Sequence, residues 1–492
     1  MKNLSKYTEF WAKTTPDALA VTDEKYSFSF RELDILVHQS ANLFRELGIK
    51  SGDLVAVKLN SVFNFIFTIV FNSMGVKVII RDNDNRLPEI LEPDFFLTLS
   101  KIDWFPDERT IIFDEALIKK LKKSEQNSLL NGFRSDLIPG LIWSTSGTTG
   151  QEKFVELNAH EFYCRILEPT ISSLFPDDHC ISLLPFGAFW STKIAFQALV
   201  FGKPYITFMS ANERILEVMS RHSVHTVLGS PGQIARLLDD VENLIKENRK
   251  VPKLSTFIIG GETPSKRLIE RIRSLFDCRI FNNYGSTEVG GIAHCEVRIG
   301  DEPLIIRPFV DLEIVDSEDR VLPYGVEGQI RVRGVSQPNM YLGDTEESAR
   351  RFKFGFHYSG DLGLLDRNGN LILAGRSESV LRIAGSKIHP ATLESQLGLL
   401  PGVQACAAFA WLNPEKGVEE LSLALTVSEP FSIDRLTDWL VARLDSLGVV
   451  NLFWVDEVPF SANGKLLRGE LTTRLNANKP GLRVVTSQNF SA

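Results

Sequence analysis

Residues 144–153 read Ser-Thr-Ser-Gly-Thr-Thr-Gly-Gln-Glu-Lys, "STSGTTGQEK". An apolar run, "LIW" at 141–143, precedes the stretch, and "FVEL" at 154–157 follows it. This pattern predicts a loop between two extended segments. Small residues let the main chain approach a ligand closely, and glycine opens conformations with positive φ. Successive amides and hydroxyls in such a loop can face an anion, and Lys153 adds a positive charge at its rim. A phosphate cradle and an ordinary Ser/Thr/Gly surface loop both stay open on this stretch alone. A nucleoside-triphosphatase P-loop does not, because it needs G-x-x-x-x-G-K-[ST] running into a helix. Here Lys153 follows Gly150 by three positions and precedes Phe154.

On either side of the loop the chain alternates between two periodicities. "FRELDILVHQSANLFRELG" at 30–48 has helical apolar spacing and ends on glycine. "DLVAVKL" at 53–59 reads as a strand, the apolar run around 62–71 as a buried helix, and "KVII" as another strand. Beyond the loop come "HCISLLPF", "PYITF", "HTVLGS", "LSTFIIGG" and "CRIFNNYG", with helices between them. Strand–helix alternation predicts an α/β fold with largely parallel sheets. From about 300 to 375 the pattern changes to short strands, a small β subdomain. After "AGRSESVLRIAGSKIHP" it becomes mixed again. The expected division is a large N-terminal domain, residues 1–375, and a small mobile α+β domain, residues 376–492.

Length and composition agree. The 492 residues exceed one compact core, and 43% hydrophobic with 24% charged residues is ordinary for a globular chain. A net charge of −8 argues against nucleic acid as a partner. The five cysteines are scattered without C-x-x-C, which favours reduced thiols over a disulfide framework or zinc site. The first residues, "MKNLSKYTEFWAKTTPDA", contain no apolar signal region, and "VFNFIFTIVF" is too short to span a bilayer. A cytoplasmic location without a transmembrane segment is expected. His222 and His225 have helical spacing but no supporting ligand cluster, and neither G-x-S-x-G nor G-x-G-x-x-G occurs.

Several further stretches could carry chemistry. In "NNYGSTE" at 282–288 an aromatic, hydroxyls and a carboxylate follow a strand; a base, a phosphate and Mg²⁺ could use them, and so could a plain turn. The Asp of "SGD" at 359–361 could take ribose hydroxyls or simply close a turn. "PFSANGKLLR" at 459–468 places a lysine after an Asn-Gly turn, where a lysine is ordinarily solvated.

In this order the stretches resemble the adenylate-forming superfamily: acyl-CoA synthetases, firefly-type luciferases and peptide-synthetase adenylation domains. "AGRSES", "LPYGVEGQIRVRG" and "MYLGD" add to the likeness, which runs from "TTPDALAV" to "SANGKLLR". The resemblance implies that Ser146, Gly147, Thr148, Thr149, Gly150 and Lys153 cover the ATP β- and γ-phosphates. It places Gly261, Glu262 and Thr263 on the adenine side with Tyr284 against the ring, and Thr287 at the α-phosphate. Glu288 would hold Mg²⁺, Asp361 and Arg376 the ribose, Glu378 the hinge, and Lys465 would be the catalytic lysine. The implied activity is ATP- and Mg²⁺-dependent conversion of a carboxylic acid to an acyl-adenylate. The acyl group then passes to the thiol of coenzyme A or of a carrier protein's phosphopantetheine.

The chain also departs from that pattern. The usual Pro-Lys-Gly after the phosphate loop is Glu152-Lys153-Phe154, which predicts altered loop dynamics with activity retained. The usual Thr-His is Asn158-Ala159. Phe189 stands where an amino-acid-binding Asp is expected, which disfavours an α-ammonium substrate because a buried ammonium needs a carboxylate. Phe186, Phe189 and Trp190 make an apolar, aromatic candidate pocket suited to a fatty or aryl acid, though core packing would use the same residues. The competing readings are an amide-forming ligase of this fold and an inactive adenylate-binding scaffold.

Overall fold

The computed structural model describes residues 3–59, 62–81, 83, 85–126, 140–146, 152–168, 179–208, 214–298, 300, 302–383, 386–412, 419–444, 449–459, 466–476, 482–484 and 488–489. Their framework is two large, mainly parallel sheets with helices between and outside them. In the six-stranded sheet, Thr110–Ile112, Phe95–Thr98, Leu54–Lys58, Lys77–Ile80 and Gly140–Ser146 run parallel, and Glu152–Asn158 closes the edge antiparallel. The nine-stranded sheet has Thr256–Gly260 between Val224–Gly229 and Arg279–Ser286, all parallel, with Gly290–Glu296 folding back beyond them.

Local sequence explains the layer between the sheets. The helix Phe30–Glu46 starts in a capping box, where Ser29 and Glu32 satisfy each other's main-chain donors. It buries Phe30, Leu33, Val37, Ala41 and Phe44, the i, i+3/i+4 stripe. The helix Val62–Met74 is apolar on every side, and all its residues are buried, as the sequence predicts. Phe44 meets Phe67 edge-on, with ring centroids 5.1 Å apart. This core also takes in Val55 and Val78 of one sheet and Val21 and Tyr205 of the other, so it cements the two together.

Among the described residues, the stretch after "KVII" holds only a short helical turn, Glu89–Leu91, before the next strand. The β-rich region forms a five-stranded antiparallel sheet of Asp311–Val315, Gly328–Arg333, Phe352–Lys353, Phe356–Leu365 and Leu371–Arg376. Its Ile314, Ile330, Val332 and Leu371 share a core with the outer face of the nine-stranded sheet. A further five-stranded sheet begins with Val403–Leu412 and Glu419–Val427. The apolar clusters around it contain only residues from 381 onward. Among the described residues no helix is long and apolar enough to cross a membrane, and all five cysteines are free thiols.

One local expectation changes. The loop read from 144 to 153 is shorter, because Ser144, Thr145 and Ser146 pair with Phe154, Lys153 and Glu152 across a hairpin. Ladder hydrogen bonds to the neighbouring strand draw polar residues into extended structure that their own composition does not favour.

Candidate functional site

The site gathers at the carboxyl ends of the parallel strands, where open α/β sheets place their ligands. The strand Arg279–Ser286 turns at Thr287 and returns as Gly290–Glu296, with a register shift after Tyr284. Such a bulge re-aims the side chains beside it. Gly261, Glu262 and Thr263 are exposed just past the end of Thr256–Gly260, and Gly260 is the register partner of Asn283, next to Tyr284. Gly261 takes a left-handed φ of 86°.

Two side-chain chains join the sheets across this end. In the first, Tyr284 donates its hydroxyl hydrogen bond to Asp361 Oδ2 at 2.5 Å. Asp361 also pairs with Arg376 Nε at 2.7 Å, the two residues facing each other on adjacent strands. Burial, reinforced by the Asp361 charge, pushes the Tyr284 phenol well above its usual range, so it remains a hydrogen-bond donor.

In the second chain, Tyr341 donates to Glu288 Oε1 at 2.8 Å, and the Lys153 ammonium lies 5.4 Å from the Tyr341 ring centre. Burial raises the Glu288 carboxyl, but His357 and hydrogen bonds from Tyr341, its own amide and Ser286 outweigh that and hold it below the usual range. The His357 imidazole stands 4.0 Å away. Burial lowers it in turn, so near neutrality the hydrogen bonds, rather than an ion pair, keep the carboxylate charged. An ionised, buried oxygen donor suits a hard cation such as Mg²⁺, which is commonly held by one or two carboxylates together with substrate phosphates. Among the described residues no cluster of three or more His, Cys, Asp or Glu could hold a metal by itself.

The structure accounts for the sequence departures at residues 152–158. Glu152 accepts from the buried Arg81 guanidinium at 3.0 Å and from Asn83 at 2.6 Å, so its charge is compensated. Phe154 is buried against Ile142, Phe96 and Phe105. Lys153 is paired with Glu347, which also binds Arg350 and Arg351. Although burial raises the Glu347 carboxyl, these three partners hold it down to about 2. Asn158 caps the helix Ala159–Leu167, accepting from the amides of His160 and Glu161.

Thus Lys153, Tyr284, Thr287, Glu288, Asp361 and Arg376 come to one end of the two large sheets. Phe189 and Trp190 begin the helix Phe189–Phe201; Phe189 packs edge-on against Trp143, and Trp190 lies against Ile194, Leu228, Ile258 and Phe281. Phe186 packs with Phe65, Phe196 and Tyr205 in the inter-sheet core. Gly147, Thr148, Thr149, Gly150 and Lys465 lie outside the described residues, as do the side chains of Ser146 and Glu378; Glu378 belongs to the turn Ser377–Ser379. Sequence reasoning assigned nothing to Tyr341, Glu347 or His357. Only Tyr341 had a signal, its place in "MYLGD".

A family model of AMP-binding enzymes matches residues 67–342. The chain is 24% identical to 2-succinylbenzoate–CoA ligase of Bacillus subtilis, over 94% of this chain and 96% of the relative. It is equally 24% identical to the fatty acid–[acyl-carrier-protein] ligase ScoC of Streptomyces coeruleorubidus, over 96% of both chains. The fold matches o-succinylbenzoate CoA synthetase of Bacillus subtilis, solved with its acyl-adenylate intermediate. The TM-score is 0.77 at 22% identity, covering 94% of this chain and 97% of the other.

Proposed function

This chain belongs to the AMP-binding enzyme family, and on that premise we propose how its residues serve an AMP-forming acid–thiol ligase. The enzyme activates a carboxylic acid with ATP to an acyl-adenylate and transfers the acyl group to a thiol. The observation that carries the assignment of residues is the Tyr284–Asp361–Arg376 chain, which joins two separate sheets.

Asp361, fixed by Tyr284 and Arg376, offers carboxylate oxygens to the ribose hydroxyls, with Gly261, Glu262 and Thr263 alongside the base. Glu288, ionised and oriented by Tyr341, would hold Mg²⁺. When bound, that ion offsets the negative charge of the triphosphate. Attack of one anion on another calls for alignment and neutralisation more than for proton transfer. Thr287 contacts the α-phosphate. Ser146, Gly147, Thr148, Thr149 and Gly150 close over the outer phosphates, and Lys153 exchanges Glu347 for phosphate as they do. A lysine ammonium stays charged at neutral pH, and Lys465 bridges the carboxylate and the α-phosphate. Residues 376–492 then turn about Glu378, withdrawing Lys465 and admitting the thiol of coenzyme A or of a carrier protein's phosphopantetheine.

Phe189 and Trp190 favour an aryl or fatty acid over an amino acid, and the five free thiols fit a reducing, cytoplasmic setting. The test is pyrophosphate and AMP release from ATP and Mg²⁺ with panels of aryl, fatty and amino acids, with and without coenzyme A. Acid-dependent pyrophosphate release is expected. AMP turnover that rises with coenzyme A identifies it as the acceptor, whereas indifference to it points to a carrier protein. Protein that binds ATP yet releases no pyrophosphate with any acid would overturn the reading.

A further inference from the structure

Lys153 has a partner that the adenylation chemistry does not require. Its ammonium is paired with Glu347 of the short helix Thr345–Arg351. The two side chains are only 9% and 11% exposed, so neither charge is left to water. Glu347 has two further cations, Arg350 Nε at 2.5 Å from Oε2 and Arg351 Nε at 3.0 Å from Oε1. The dependence is therefore unequal. Glu347 keeps two guanidiniums if Lys153 leaves, whereas among the described residues Glu347 is the carboxylate that Lys153 pairs with. A lysine that leaves it must meet another anion, because a buried ammonium without one is costly.

The chain on either side of Lys153 is held in place. Glu152 accepts from Arg81 at 3.0 Å and from Asn83 at 2.6 Å. Phe154 is buried, and its carbonyl oxygen accepts the Leu342 amide at 2.9 Å, which ties this strand to the segment leading into the Glu347 helix. Lys153 itself faces Thr145 in the hairpin ladder. What remains free to change partner is the side chain, a point charge on a flexible four-carbon stem. Its other neighbour is Tyr341, whose ring centre lies 5.4 Å from the ammonium and whose hydroxyl donates to Glu288 Oε1. The ammonium is thus one aromatic ring away from the carboxylate proposed for Mg²⁺.

We propose that Glu347 is a competitor built into the phosphate site: it holds Lys153 until the outer phosphates of ATP take it, and takes Lys153 back as pyrophosphate leaves. The inference rests on the ligase reading and adds a regulation to it. ATP and pyrophosphate must each displace an ion pair, and their affinity is lowered by its strength. AMP and the acyl-adenylate lack the outer phosphates and displace nothing. Glu347 therefore eases departure of the leaving group without loosening the activated acid. Arg350 and Arg351 limit the cost of the exchange, because they keep the carboxylate compensated while Lys153 is away.

The test is Glu347→Gln, which keeps the shape and removes the charge. Isothermal titration calorimetry should show both ATP and pyrophosphate, each with Mg²⁺, binding about fivefold more tightly, the equivalent of about 1 kcal/mol, with AMP unchanged. Lys153→Met should weaken ATP binding, and in its background Glu347→Gln should have no effect. A merely structural role for Glu347 gives the opposite sign, lower stability with weaker or unchanged ATP binding, and that result would overturn the proposal. So would tightening that persists in Lys153→Met or extends to AMP. If Glu347→Gln does not fold, the Nζ signals of wild-type protein labelled with ¹⁵N-lysine decide, the Lys153 signal being identified by its loss in Lys153→Arg. It should move with pyrophosphate and not with AMP, and a signal indifferent to pyrophosphate would overturn the proposal. These failures leave the ligase reading intact where acid-dependent pyrophosphate release is seen. Absence of that release with every acid would overturn the ligase reading and this inference with it.

Discussion

The two sides of the hairpin formed by Arg279–Ser286 and Gly290–Glu296 differ in how charge is compensated. On the side we propose for the nucleotide, Asp361 has Arg376 and Tyr284, and Glu288 has Tyr341. On the other side Lys193 takes the buried Glu168 at 2.7 Å, and the Arg165 guanidinium is held by the main-chain oxygens of Glu288 and Val335. The first side is self-consistent before ligand arrives and needs only to orient it. The second ties helices to the strand that follows Glu288. Side chains bonded to one another set the geometry of a site, whereas a guanidinium bonded to main-chain oxygens holds segments together, and in both places removing one partner leaves a buried charge uncompensated.

That contrast can be broken in several ways. The largest effect belongs to Lys465→Ala, which should cut adenylation roughly 10³-fold, as loss of a transition-state charge contact does, with the circular dichroism spectrum unchanged. Activity surviving in pyrophosphate-release assays would remove Lys465 from its role. Asp361→Asn should raise KM for ATP, roughly 10²-fold if about 2.7 kcal/mol of charged hydrogen bonding is lost, and leave KM for the acid alone. If acid selectivity moves as well, the two sides of the hairpin are not separate. Tyr341→Phe removes the donor to a buried carboxylate and should destabilise the protein by about 1.5 kcal/mol, measured by urea unfolding. The mutant should also show weaker Mg²⁺ dependence of activity.

The smallest effect concerns pH. Although burial raises the Glu347 carboxyl, Arg350, Lys153 and Arg351 depress it from the ordinary 4.5 to about 2. Its contribution to stability is therefore complete above pH 4.5 and is lost as pH falls through that window towards 2. Glu347→Gln should flatten the melting temperature against pH on that acid limb, and near neutrality it should cost about 1 kcal/mol. An unchanged acid limb would mean that Lys153 and its arginine neighbours do not stabilise the carboxylate.

Legibility followed the range of the interactions involved. The helix Phe30–Glu46 and the apolar helix Val62–Met74 depend on neighbours in sequence, and pattern alone located both. The extension of strand structure into Ser144–Ser146 depends on cross-strand partners, and composition pointed the other way. Glu152 looked like a charge placed against phosphate. Arg81, 71 positions away, neutralises it, and no local pattern announces that pairing. Phe186 read as a pocket candidate beside Phe189, yet it packs into the core with Phe65, another long-range contact.

The sequence by itself determined the α/β architecture and the family, because strand–helix alternation and short motifs in a fixed order are properties of neighbouring residues. Only the tertiary structure decided that Tyr341 serves Glu288, that Arg81 balances Glu152, and that Arg165, Lys193, Arg307 and Glu168 meet. Those four residues come from two helices and two other segments of the chain and have no shared motif. Their charges interact only once folding excludes water and lowers the dielectric between them.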